Sequence, residues 1–169
     1  MPTRNDLRGG RSRRKSTAAP PPDDPDDNPR DYFEYLTTVT RGYNDPVWFV
    51  STILKETVRK LFPFQEWWLR EFYRNRYNPD LPQYKESDLA CGMRGGKTAI
   101  ISMAMVFEYF CTFTLDSPSD HYGLLGKQPI FHTVVATTSD TAEDGIFYNV
   151  TNMIENSEWL QTWGDLKIR

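Results

Sequence analysis

The sequence predicts an α/β fold in which an incomplete parallel sheet is flanked by helices. A short strand-like segment, residues 87–91, runs through a glycine-rich turn into a long apolar helix. A β-branched segment, residues 133–137, is followed by a second helical stretch. Two successive strand-to-helix steps are typical of a parallel sheet with crossover helices.

Length and composition limit the number of domains and the classes of function that the chain can have. The chain has 169 residues, of which 38% are apolar and 14% aromatic, enough for one domain with a hydrophobic core. The formal net charge of −3 gives no reason from bulk charge to expect a nucleic-acid binder. Two cysteines form no disulfide framework, and the polar, Arg-rich start lacks the apolar stretch of a signal peptide.

Residues 1–30 are predicted to be a disordered tail. Its first half is basic, and Pro20-Pro21-Pro22 then leads into an acidic patch at residues 23–27. Because it contains one leucine and no aromatic residue, it cannot bury enough apolar surface to offset the entropy of ordering. We interpret it as a solvated leader; a basic arm that touches nucleic acid or a partner is the alternative.

Two helices are predicted next. Asp45-Pro46 is a helix-start signal, and apolar residues then recur at helical spacing over residues 47–61. A second helix follows Pro63, with aromatic residues interleaved with arginines, and it is broken at residues 78–82. The interleaving favours an amphipathic helix with a solvated face; a surface for single-stranded nucleic acid is the alternative.

The remaining elements follow from hydropathy and turn residues. Residues 87–91 are predicted to be a strand, and 99–115 a buried helix rather than a membrane span, because Glu108 interrupts it and it is short for a bilayer. Residues 116–128 are predicted to be a loop, 133–137 a strand and 141–154 a helix.

Residues 91–98, which we call the phosphate loop, carry the strongest chemical signal. A triphosphate needs converging backbone N–H groups, the positive end of a helix, a lysine for the β and γ phosphates and a hydroxyl for Mg²⁺. Gly92, Gly95 and Gly96 can supply the backbone, Lys97 the ammonium group and Thr98 the hydroxyl. The motif departs from the usual pattern because its first position is a cysteine instead of a glycine.

Four segments together resemble the N-terminal ATPase region of terminase large subunits, the DNA-packaging motors of tailed viruses. They are Asp-Pro-Val-Trp-Phe at 45–49, Leu-Phe-Pro-Phe-Gln at 61–65, the phosphate loop, and Thr-Thr-Ser-Asp-Thr-Ala at 137–142. Members of that family often replace the first glycine of the loop and carry an arginine inside it, as this sequence does. The resemblance implies a P-loop NTPase fold over residues 31–169.

The resemblance also implies a role for each matched residue. Gln65 would read the adenine edge, Lys97 and Arg94 would be the catalytic residues at the phosphates, and Thr98 would hold the metal. The implied cofactors are ATP and Mg²⁺. The nucleotide-binding residues would be Gln65, Cys91, Gly92, Met93, Arg94, Gly95, Gly96, Lys97 and Thr98.

Parts of the family's machinery are missing from the sequence. No apolar strand ending in Asp-Glu follows the phosphate loop, so the Walker B motif is absent, as is the acidic nuclease cluster. We therefore expect the N-terminal piece of a longer terminase, which binds nucleotide weakly or not at all and hydrolyses none. The implied partners are double-stranded viral DNA, the portal protein and the small terminase subunit, in an oligomeric ring in the host cytoplasm and with no membrane.

Two other functions stay open. A helicase or translocase also places a glutamine upstream of its phosphate loop, but generally has a small residue at the first loop position and lacks the arginine. The second alternative is a non-catalytic module that keeps a degenerate phosphate loop and acts in assembly. His121 and His132 are interpreted as ordinary histidines without metal-ligand spacing, and Cys111 as a small hydrophobic residue in the buried helix.

Overall fold

The computed structural model describes residues 29–82, 84–90, 92, 95–115, 117–125, 128, 130–134, 138 and 143–163. Helices account for 66% of these residues. In chain order they are α1 (Pro29–Asn44), α2 (Pro46–Ile53), α3 (Pro63–Phe72), α4 (Arg74–Tyr77), α5 (Lys97–Phe113), α6 (Pro118–His121), the π-helical turn α7 (Glu143–Phe147), α8 (Tyr148–Asn156) and α9 (Glu158–Trp163).

The predicted α/β fold with a parallel sheet is wrong for this part of the chain. The described residues contain no strand: 87–90 and 130–134 are neither helical nor paired. A strand propensity is realised only when a neighbouring backbone supplies the ladder. Here residues 87–89 are held by side chains instead, since the Trp68 indole N–H donates to Ser87 Oγ at 3.2 Å and Leu89 packs against the helical core. Cys91 and residues 135–137, the other parts of the predicted strands, lie outside the described residues.

The first folded element begins slightly earlier than predicted. Helix α1 includes Pro29 and Arg30, the last two residues assigned to the tail, while residues 1–28 lie outside the described part of the chain. Tyr35 of α1 stacks on Trp159 at 5.9 Å between ring centroids and lies 5.3 Å from Trp163. The beginning of the described chain is thereby packed against its end.

The predicted helix start at Asp45-Pro46 is confirmed. Pro46 is the first residue of α2, and the Asp45 carboxylate accepts hydrogen bonds from the N–H groups of Val47 at 3.1 Å and Trp48 at 3.0 Å. The Tyr77 hydroxyl donates to the same carboxylate at 2.7 Å. This carboxylate therefore caps α2 and also ties it to the end of α4.

Helix α2 ends at Ile53, eight residues before the apolar spacing predicts. The Leu54 carbonyl accepts from the N–H groups of Thr57 and Val58 and also from the Thr57 hydroxyl, at 3.2 Å for the last. A threonine hydroxyl that competes for a backbone acceptor in this way favours a turn over further helix.

The helix predicted after Pro63 is confirmed as α3, but it ends at Phe72, and the stretch before the predicted break at residues 78–82 is completed by the short helix α4 after Tyr73. The amphipathic interpretation of α3 holds. Gln65, Trp68 and Leu69 are buried, whereas Arg70 and Glu66 are half exposed and paired at 3.1 Å. One face of α3 therefore joins the core and the other is solvated.

Helix α5 forms the centre of the core, as the apolar run predicts. Phe107 and Phe110 are fully buried, and the Phe110 ring lies 4.7 Å from Phe49 of α2. Phe107 lies 4.7 Å from Tyr73, which follows α3. Aromatic contacts of this kind hold α2 and α3 on α5.

The chain after α5 differs from the prediction in two places. The predicted loop at 116–128 contains the short helix α6, and the predicted helix at 141–154 is the π-helical turn α7 followed by α8, with residues 141–142 outside the described part. Among the described helices, none is both long and apolar enough to cross a bilayer.

Candidate functional site

The described part of the phosphate loop lies directly at the start of α5. Gly96 is the N-cap residue of α5, with φ +75° and ψ +16°, and Lys97 is the first helical residue. Only glycine adopts this left-handed backbone without strain. Cys91, Met93 and Arg94 lie outside the described residues, so their predicted roles have no structural account.

The loop is closed by hydrogen bonds to the Gly92 carbonyl. The Gly95 N–H donates to it at 3.1 Å, and the Lys97 ammonium group donates to it at 2.9 Å. The lysine side chain therefore turns back over the glycines instead of extending into solvent. An anion held in the loop would meet this ammonium group directly.

The start of α5 is suited to an anion for a further reason. The first backbone N–H groups of a helix have no partner within the helix, and they lie at the positive end of its dipole. No side chain caps α5, and its first turn carries no acidic residue. Within its own first turn, this 17-residue helix therefore carries no carboxylate that would offset the positive end of its dipole.

Thr98 presents the hydroxyl that the sequence predicts for the metal. Its side chain is exposed, and its backbone carbonyl accepts from the buried Ser102 hydroxyl at 2.7 Å. Ser102 also donates to the Ile146 carbonyl at 3.4 Å, which attaches α7 to this turn of α5. The Thr98 carbonyl is therefore held by a hydrogen bond from Ser102, while the Thr98 side chain is exposed to solvent.

Gln65, which lies 31 residues before Gly96 in the sequence, is brought against the phosphate loop. It sits in the first turn of α3 and is only 5% exposed. Its Oε1 accepts from the Phe62 N–H at 3.0 Å. Its Nε2 lies 3.0 Å from the point where a Cβ on Gly96 would be.

A groove of about 900 Å³ extends from Lys97 and Thr98 along α5. On α5 it is lined by Thr98, Ile101, Met105 and Glu108, whose spacing of three and four residues places them on one helix face. This spacing is visible in the sequence, but without a position for α3 it does not reveal that the face borders a groove. Opposite are aromatic side chains, among them Trp68, Phe72, Tyr73 and Tyr84.

The far end of the groove is polar. Burial is the main cause that raises the pKa of the Tyr73 phenol well above its ordinary value, and the neighbouring Glu108 carboxylate raises it further. The phenol is therefore neutral, and its hydroxyl lies 3.5 Å from the Ala104 carbonyl. His132 Nε2 lies 3.5 Å from Thr112 Oγ1 in the same region.

The other residues considered for chemistry are not assembled into a site. Over the residues that the structure describes, no group of three or more His, Cys, Asp and Glu side chains could hold a metal ion. His121 packs edge-on against Tyr122. Cys111 is buried, as predicted, and burial raises the pKa of its thiol to about 12.

The comparisons with known proteins add no relative. No protein-family model, curated protein or solved structure matches the chain.

Proposed function

We propose that this chain is the nucleotide-binding N-terminal portion of a viral DNA-packaging terminase large subunit. The observation that carries the proposal is the junction of Gly96 and Lys97, where a left-handed glycine begins a long uncapped helix and the lysine ammonium group folds back over the loop. The parallel sheet of a P-loop NTPase, which the resemblance implies, gives the proposal no support, because the described residues lack it.

The residues at this junction fit a triphosphate. The N–H groups of the first turn of α5 would bind phosphate oxygens, and Lys97 would exchange the Gly92 carbonyl for the β and γ phosphates. The exposed Thr98 hydroxyl would be the protein ligand of Mg²⁺, with further ligands from the phosphates and water. When bound, Mg²⁺ would neutralise part of the negative charge of the phosphates.

The biological setting is proposed from the resemblance of the sequence. It comprises ATP-driven movement of double-stranded viral DNA, a ring of subunits, and contacts with the portal protein and the small terminase subunit in the host cytoplasm. An endonuclease activity would belong to the longer protein.

We further propose that the chain by itself binds nucleotide weakly without hydrolysing it. Glu108 is the carboxylate of α5 that lines the groove, but it follows Thr98 by ten residues, which is about 15 Å along a helix. A general base must lie within hydrogen-bond reach of the attacking water, so Glu108 is too far from the start of α5 for that role.

The decisive experiment is titration of the chain with ATP and Mg²⁺ by calorimetry. Lys97→Ala is expected to lower the affinity at least tenfold, on the order of one charged hydrogen bond to phosphate. Thr98→Ala should remove most of the gain in affinity that Mg²⁺ provides. Lys85→Ala is the matched control, since Lys85 lines the same groove and its loss removes the same charge.

Three outcomes would contradict the proposal. Equal losses in Lys97→Ala and Lys85→Ala would indicate general attraction of an anion to the groove. An affinity unchanged by Lys97→Ala would remove the phosphate loop from the function and favour the assembly module. Phosphate release that disappears in Lys97→Ala would show hydrolysis by the chain alone.

A further inference from the structure

One side of the Gln65 carboxamide is already committed to a hydrogen bond. Its oxygen accepts from the part-buried N–H of Phe62, and its nitrogen lies against Gly96. With 5% of the residue exposed, little of the amide edge is available to a ligand. Turning the amide outward would leave the part-buried Phe62 N–H without this acceptor, at the cost of that hydrogen bond.

Gly96 is the position where this contact matters. Its φ of +75° places the backbone in the left-handed region, and the Gln65 nitrogen fills the space beside its Cα. Its carbonyl accepts from the Ile100 N–H at 3.0 Å, the first hydrogen bond of α5. A shift of the Gly96 backbone would therefore move the loop and the start of α5 together.

We infer that Gln65 is a positioning residue that holds the Gly96 backbone in its left-handed conformation, and that it does not select the base of the nucleotide. The amide packs between the first turn of α3 and Gly96, so that a Cβ at position 96 would displace it. The inference deepens the proposed function and rests on it for its nucleotide readout. It replaces the expectation, drawn from the resemblance, that Gln65 reads adenine.

The consequence is a distinctive pattern of ligand affinities. A residue that reads adenine affects ATP and leaves GTP or a base-free phosphate unchanged. A residue that positions the loop affects every ligand that places phosphates there, by the same factor. Inorganic tripolyphosphate is the sharpest probe, because it carries the phosphates and no base.

The test uses the whole chain with Mg²⁺ and three ligands: ATP, GTP and tripolyphosphate. Gln65→Met, which keeps the length and removes both hydrogen-bonding groups, is expected to weaken all three equally, by roughly tenfold. Gln65→Glu keeps an acceptor for Phe62 but places a carboxylate beside the loop. It should weaken all three more strongly, and the loss should shrink as salt is added. Glu66→Gln, on the solvated face of α3, is the control and should change none.

A second measurement needs no nucleotide. Gly96→Ala, Gln65→Ala and the double variant form a cycle in urea unfolding, and the two changes should be coupled because a Cβ on Gly96 would meet the Gln65 amide. Additive effects would overturn the inference, as would a loss in Gln65→Met confined to ATP or no loss for any ligand. If the wild-type chain binds none of the three ligands, the proposed function fails and the cycle alone decides the role of Gln65.

Discussion

At the scale of single residues, the candidate site depends on the backbone of Gly96. The left-handed conformation and the nearby Gln65 amide both require that no Cβ be present. Lys97, the next residue, folds back and donates to the Gly92 carbonyl at 2.9 Å. A change in unfolding free energy caused by a substitution at Gly96 therefore measures how strongly the protein requires this left-handed backbone, on which nucleotide binding is proposed to depend.

Gly96→Ala is expected to lower the free energy of unfolding by about 1–2 kcal/mol, because an L-residue is strained in the left-handed region and the new Cβ would meet Gln65 at 3.0 Å. Urea unfolding followed by circular dichroism measures the change.

Gly145→Ala is the matched control for that variant. Gly145 lies in α7, and a Cβ there would meet nothing within 4 Å. Its replacement should be neutral or stabilising by up to about 1 kcal/mol. Equal losses at the two glycines would contradict the special role of Gly96.

At the scale of elements, a buried hydroxyl adds a hydrogen bond to the apolar packing that holds the last two helices near α2. Ser157 separates α8 from α9 and is 1% exposed. Its hydroxyl donates to the Ile53 carbonyl at 2.6 Å and lies 3.3 Å from the Leu160 N–H, which donates to it. The same atom therefore caps the start of α9 and satisfies the carbonyl at the end of α2.

Ser157→Ala is expected to cost about 1–3 kcal/mol of unfolding free energy, because it leaves the buried Ile53 carbonyl and the Leu160 N–H without this partner. Thermal and urea unfolding check the value. Ser51→Ala, an exposed serine in α2 itself, is the control and should change stability by less than about 0.5 kcal/mol. A loss as small in Ser157→Ala as in Ser51→Ala would show that the hydroxyl does not hold these helices together.

At the scale of the whole molecule, the aromatic core around α5 holds titratable groups in their neutral forms. Burial raises the pKa of the Cys111 thiol to about 12 and that of Tyr73 well above its ordinary value. Outside this core, the pKa of Tyr77 is raised as well, by partial burial and by its hydrogen bond to Asp45. Arg76 and Glu108 are the charged groups that face the Cys111 thiol.

The chain is therefore expected to lose stability in alkali. Well below pH 9 the Cys111 thiol is protonated in both states and contributes no pH dependence. Between its ordinary value of 9.0 and about 12, only the unfolded state releases the proton, so stability falls with rising pH. The slope for one such group is about 1.4 kcal/mol per pH unit.

Unfolding free energies measured from pH 8 to 11 in the wild type and in Cys111→Ala check this prediction. The variant should show a shallower decline, because one of the groups is gone. If the unfolding free energies of the two proteins declined in parallel, the Cys111 thiol would not contribute to the loss of stability.

Local signals in the sequence predicted much of the helical part. Asp45-Pro46 starts α2 because a carboxylate cap and a proline at the first helical position act within a few residues. The apolar run predicted a buried α5, which is the centre of the core. The C-terminal limit of α2 was missed, because it depends on competition for the Leu54 carbonyl.

Of the candidate site, the sequence by itself determined the chemistry of Gly96, Lys97 and Thr98 at the start of a helix, since their order along the chain suffices for that. Only the tertiary structure decided that residues 87–90 form no strand, and that Gln65 lies against Gly96. The physical reason is the same for both. A β-ladder and a contact between two helices need partners that are distant in the sequence, and local pattern does not say which distant residues meet.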